Sequence, residues 1–181
     1  MAPLKKSRFK KPLVKILLCT VGALWFGLLV AQQPKDKVYA VFLLNFARFI
    51  EWPKDASTDE FVIGVLDDPP LASELKNVAK LRTIGNQKIR VKEYQAISQV
   101  DFCHILFVPE HESAQVPTII GMFPYSAMLV VTEKEGLAKA GSNINFLVMN
   151  GKIKFELNLR AMRGRGLKVS AELQAFSVPI E

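Results

Sequence analysis

Phe61-Val62-Ile63-Gly64-Val65-Leu66-Asp67-Asp68-Pro69-Pro70-Leu71-Ala72-Ser73-Glu74-Leu75-Lys76-Asn77-Val78-Ala79-Lys80-Leu81 is the stretch that decides the fold. Phe61 to Leu66 reads as a strand, and Asp67-Asp68-Pro69-Pro70 stops it. Leu71 to Leu81 then has helical composition, with Leu71, Leu75, Val78 and Ala79 on one side. The alternation continues outward. Lys88 to Glu93 is expected as a strand leaving Gly85-Asn86. His104 to Val108 is another, and its unbroken apolar run fits burial on both faces. Glu112 to Met122 predicts a helix interrupted near Pro117, Ala127 to Thr132 a strand, and Lys134 to Ala140 a short helical stretch. Strands separated by helical stretches mean βαβ units. The expected fold is α/β, a three-layer sandwich around a mainly parallel sheet.

The two flanks add distinct elements. Asp36 to Trp52 predicts a helix, with Val38, Val41, Phe42, Phe46, Phe49 and Ile50 at helical spacing, a possible Asp36 cap, and Pro53 as its stop. Asn150-Gly151 signals a two-residue antiparallel hairpin, because both turn positions need positive φ. Pairing across it sets Met149 opposite Lys152, Val148 opposite Ile153, Phe146 opposite Phe155 and Ile144 opposite Leu157. Ile144, Phe146, Val148, Ile153, Phe155 and Leu157 then share an apolar face. Asn145 opposite Glu156 and Asn143 opposite Asn158 carry the polar one, and a one-residue slip would turn the phenylalanines outward. Leu159 to Arg163 forms a helical turn ended by Gly164 and Gly166, and Leu167 to Leu173 alternates as a half-buried last strand.

The charge is unevenly placed. Lys5, Lys6, Arg8, Lys10, Lys11 and Lys15 are six of the 24 basic residues, and no acid precedes Asp36, which leaves 18 basic against 17 acidic residues further on. The basic pI belongs to a leader and offers nothing for nucleic acid. Ile16 to Ala31 follows without a charge, reaching roughly 24 Å as a helix against a ~30 Å hydrocarbon core. Residues 1–31 read as a secretory signal, either cleaved or kept as an inner-membrane anchor, and residues 32–181 as a single domain. Cys19 lies within the apolar run, without the small residue before it or polar segment after it that lipid attachment needs. Cys103 is the one cysteine beyond the leader, in a setting that predicts burial rather than an internal disulfide.

Catalytic signatures are sparse. His104 sits in a strand and points away from Cys103, so the two do not share a metal. Glu110, His111 and Glu112 could approach an ion but read better as a solvated loop. Asp67 and Asp68 resemble an acidic strand-end pocket but read better as a turn. Neither a G-x-S-x-G serine nor a glycine-rich phosphate loop is present. No catalytic residue, metal or cofactor is expected.

At Phe42-Leu43-Leu44-Asn45-Phe46-Ala47-Arg48-Phe49-Ile50-Glu51-Trp52-Pro53, Phe61 to Leu66, Cys103 to Phe107, Ile144-Asn145-Phe146, Phe155-Glu156-Leu157-Asn158-Leu159 and Gly166 to Ser170, the chain resembles the YfiR family of exported bacterial regulators. The resemblance implies a periplasmic α/β protein, usually a homodimer, without enzymatic activity. It also implies a partner: the periplasmic sensor region of a membrane-bound diguanylate cyclase, which the protein represses to restrain cyclic di-GMP and biofilm growth. Some relatives carry several cysteines that form disulfides. This chain keeps only Cys103, so redox control through an internal bridge is not implied here.

Two groups remain as candidate ligand or partner sites. Arg160, Arg163, Arg165 and Lys168 suit a carboxylate or phosphate, or form a solvated turn. Glu156, Lys168 and Ser170 would gather into one polar patch, bordered by Glu51, if the last strand neighbours the hairpin. Such a patch could hold a small polar ligand or dock the partner; a surface ion pair of little worth is the other reading. A periplasmic small-molecule binding module is the alternative function. Asn45 is expected to hydrogen-bond nearby backbone and Trp52 to pack in a core or interface.

Overall fold

The computed structural model describes residues 35–56 and 58–180. The basic leader and Ile16–Ala31, with the signal or anchor expected there, lie outside the described residues. No helix among the described residues is long and apolar enough to cross a membrane.

Helix α1 (Lys35–Phe49) is shorter than its periodicity predicts. Ile50 and Glu51 leave it as β1 and pair antiparallel with Val169 and Lys168 of β9 (Lys168–Val169). Tertiary pairing thus ends the helix before Pro53 can. Its buried side holds Tyr39, Leu43, Phe46 and Ala47. Tyr39 stacks on Phe146 at 4.2 Å, and Phe46 meets Phe155 edge-on at 5.1 Å. Aromatic pairs of this geometry add about 1 kcal/mol each beyond their buried area.

The main sheet has seven strands in the order β3-β4-β2-β5-β6-β7-β8. They are β2 (Glu60–Leu66), β3 (Thr83–Ile84), β4 (Gln87–Tyr94), β5 (Ile105–Val108), β6 (Leu129–Thr132), β7 (Ile144–Met149) and β8 (Lys152–Leu157). Strands β4, β2, β5, β6 and β7 run parallel, as expected. Both edge strands are antiparallel, so the sheet is mixed rather than simply parallel. Tight turns cause this: Gly85 has φ +55°, and Asn150 and Gly151 have φ +51° and +70°. The hairpin register matches the expected pairs, Met149 with Lys152 through Ile144 with Leu157.

Alternation along the strands makes two cores. Phe61, Ile63, Val65, Ile105, Phe107, Leu129 and Val131 face α1, α2 (Pro69–Ala79) and the buried Met162 and Leu173 of two short C-terminal helices, α4 (Leu159–Gly164) and α5 (Ala171–Phe176). Leu66, Tyr94, Leu106, Val108 and Val130 face Val116 and Ile119 of α3 (Val116–Met122). Helices on both faces give the three layers.

Four local expectations are corrected. Lys134 to Ala140 is a series of turns, since Gly136 (φ +82°) and Gly141 (φ +114°) take the chain out of helical geometry. Pro117 does not interrupt its helix but stands in the first turn of α3, after a 3-10 segment over Glu110–Gln115. The last strand stops at Val169, because the Ser170 Oγ accepts the Leu173 N–H at 3.1 Å and starts α5. The hairpin's apolar face ends early. Val148 is 69% exposed, because the α1 aromatics reach Phe146 and Phe155 but not the tip.

Candidate functional site

Strands β2 and β5 are neighbours whose connections leave in opposite directions: α2 carries the chain to β4, and α3 carries it to β6. Their carboxyl ends therefore flank the topological switch point, where open α/β sheets leave a crevice. Asp67 takes φ +41° there, and the Asp68 Oδ1 accepts the Leu71 N–H at 3.1 Å to cap α2. Burial raises the Asp68 carboxyl above its ordinary range, with the Leu71 bond opposing. His111 Nε2 lies 3.1 Å from the Asp67 carbonyl oxygen and 3.4 Å from its Oδ2. Asp67, His111 and Glu112 bring one ligand atom each within 4.8 Å of one another, all on exposed or half-buried side chains. The sequence set Glu110 beside His111 and Glu112. In the structure Asp67 takes that place, and the Glu110 N–H donates instead to Glu133 Oε1 at 3.1 Å. The imidazole ties the loop after β2 to the loop after β5.

A cavity of about 720 Å³ opens next to this crevice, along the carboxyl ends toward the hairpin. Glu110, Glu133, Lys134 and Lys139 line one side, and Asn145, Val148, Glu156, Val178 and Pro179 the other. Glu133 is held by Lys35 at 2.7 Å, and its side chain is almost fully buried. The Tyr39 hydroxyl is pushed well above its ordinary range, by burial first and by the Glu133 carboxylate second. Behind the cavity runs a polar chain. Ser142 Oγ lies 3.0 Å from Thr132 Oγ1, which donates to Asn145 Oδ1 at 2.7 Å, and Asn145 Nδ2 donates to Glu156 Oε2 at 3.0 Å. Asn143 is buried as well, its Oδ1 accepting the Val130 N–H at 2.8 Å. The expected polar face of β7 is thus an interior network that fixes Glu156 toward the cavity. Spacing located Asn145 and Glu156 but not Thr132 or Ser142, which look like ordinary strand-end residues.

The other candidates lie apart from it. Because β9 pairs with β1 rather than with the hairpin, Lys168 meets Glu51 (3.2 Å, both exposed), while Glu156 stays on β8. The Ser170 hydroxyl accepts from α5, which is a capping role. Arg160 and Arg163 are exposed on α4. Arg165 is not. Its Nη1 donates to the carbonyls of Phe123 and Ser126 at 2.8 and 3.0 Å, anchoring the loop after α3, and burial lowers its pKa.

Cys103 is fully buried with its thiol pushed up to about 12 by burial, a state that is inert as a nucleophile. The His104 Nδ1 accepts the Val62 N–H at 3.0 Å, and its Nε2–H donates to the Ala56 carbonyl at 3.0 Å. That pairing fixes a neutral tautomer. Burial holds the imidazole pKa below its ordinary value.

Sheet order, helices on both faces and a carboxyl-end cavity define a doubly covered α/β domain. Residues 36–177 match the sequence model of the YfiR/HmsC-like family (DUF4154), and the chain belongs to that family. A comparison with curated proteins finds no match.

Proposed function

We propose that the protein is a periplasmic regulator that binds the periplasmic region of a membrane-bound diguanylate cyclase and represses it. It restrains cyclic di-GMP production and biofilm growth without catalysing a reaction. The observation that carries this reading is family membership across residues 36–177. The buried thiol of Cys103 supports a mode of action that is not redox-driven. The exposed cations Arg160 and Arg163, with the Glu51–Lys168 pair, supply the docking face, and the protein works as a homodimer. Deleting the gene is expected to raise cellular cyclic di-GMP, and the protein is expected to co-purify with a cyclase from solubilised membranes. Reversing Arg160 and Arg163 to glutamate is expected to lose the complex at unchanged Tm. Unchanged cyclic di-GMP on deletion, with no cyclase recovered, rejects the reading.

The cavity beside Glu156 supports a second reading, a periplasmic binding module for a small polar ligand. Charged and amide groups around an apolar wall suit a zwitterionic or hydroxylated molecule. A screen of such compounds by thermal shift is expected to find one that raises Tm in the native chain and not in Glu156→Ala. Lys168→Ala, on the other face, should leave that shift intact.

A further inference from the structure

The two edges of the main sheet are finished differently. On the hairpin side, Val178 bridges to Glu156, and its N–H donates to the Phe155 carbonyl at 2.9 Å, so chain covers part of β8. On the opposite side β4 pairs with β2 from Lys88 to Tyr94, but its outer flank meets β3 only at Gln87 and Lys88. From Ile89 to Glu93 no described strand lies beside it. An open row of N–H and C=O groups is a template for an added strand.

A groove of about 680 Å³ lies against this open flank. Ala79, Ile89 and Val91 contribute apolar surface, and Leu81 stands beside it at 88% exposure. Lys76, Lys80, Arg82 and Lys88 ring it, and no carboxylate lines it. Lys76 is engaged by Glu93, but Lys80, Arg82 and Lys88 have no ion-pair partner among the described residues. Unpaired cations around an apolar floor favour an occupant that is both acidic and apolar.

We propose that this edge takes up, as an added strand, an extended segment of a partner protein in which acidic and apolar residues alternate. Its backbone pairs with Ile89–Glu93. One row of side chains covers Ile89 and Val91 on the α2 face. The other row presents carboxylates to the exposed Arg90, which Glu60 also meets at 3.3 Å, while the end of the segment meets Lys80, Arg82 and Lys88. A second copy of the chain fits less well, since Lys80, Arg82 and Lys88, which have no ion-pair partner among the described residues, would face their own like.

The test uses the full chain and a labelled heptapeptide of alternating glutamate and valine, read by fluorescence anisotropy. Binding that weakens with salt is expected, as is its absence when lysine replaces glutamate in the peptide. A peptide N-methylated at alternate residues, which keeps its charge but lacks the donors for strand addition, is expected not to bind. The Lys80→Glu, Arg82→Glu, Lys88→Glu triple variant is expected to lose affinity about tenfold or more at unchanged Tm. Equal binding of the N-methylated peptide overturns the strand mode, and no binding of the parent peptide overturns the site. A dimer that the triple variant converts to monomer in sedimentation assigns the edge to a second copy and overturns the proposed occupant. None of these outcomes depends on whether a cyclase is the partner.

Discussion

His104 stands where a strand residue would normally offer a carbonyl. Its ring Nδ1 accepts the Val62 N–H, while its backbone N–H donates to the Val62 carbonyl at 2.9 Å. A proton on Nδ1 removes the first bond and places a charge in the core. The unfolded residue titrates near 6.5, and the folded one lies below that. The folded state therefore carries this stabilisation in full above pH 6.5 and loses it as the pH falls toward the folded pKa. Urea midpoints should drop as the pH falls below 6.5 in the native chain and drop less in His104→Gln; identical slopes would refute the assignment. Gly64 is constrained differently. A Cβ there would stand 2.7 Å from the Tyr94 ring and 3.0 Å from Cys103 Sγ. Gly64→Ala is expected to cost about 1–3 kcal/mol by overpacking, measurable by urea unfolding. Alkylation with peptide mapping should find Cys103 unmodified until denaturant is added. The sequence announced Cys103's burial through its apolar neighbours. It did not announce the buried state of Arg165, because a basic run bounded by glycines looks the same whether its cation reaches water or two carbonyls.

At the level of elements, local chemistry decided more than hydrophobic rhythm. Leu167 to Leu173 alternates perfectly for a strand, yet Ser170 caps a helix whose Ala-Glu-Leu-Gln-Ala run favours helical geometry. Ser170→Ala is expected to destabilise the protein by about 1 kcal/mol, and a shift in Tm would register it; no change would mean that α5 is held by Leu173 burial alone. The hairpin was legible to the residue because the Asn-Gly turn permits one register and that register hides Phe146 and Phe155. Helix α1 was legible in kind but not in length. Its last turn competes with β9, more than a hundred residues later in the chain, and no local pattern carries that information. Removal of residues 177–181 should free the β8 edge, lower Tm and cause concentration-dependent association in sedimentation.

Across the whole molecule, strand alternation gave the layers but not the meeting of distant loops. Asp67 and His111 each looked like turn residues, and only the order β4-β2-β5-β6 places them on one crevice. The same holds for the Glu156 patch, whose expected partners followed β9 to the other sheet. Burial of Arg165 ties that C-terminal region to the loop after α3, so Arg165→Ala should lower Tm more than Arg160→Ala, which empties only a solvated position. Calorimetry on the two variants settles the ranking.

Val178 and Pro179 are both stitching and lip: one bonds to Phe155, and together they border the cavity beside Glu156. A fusion at the C-terminus would start close to Val178 and Pro179, and is expected to crowd that opening. A reporter or affinity handle placed there can silence a competent molecule, so loss of response in a tagged strain is evidence about the tag until an untagged copy has been assayed.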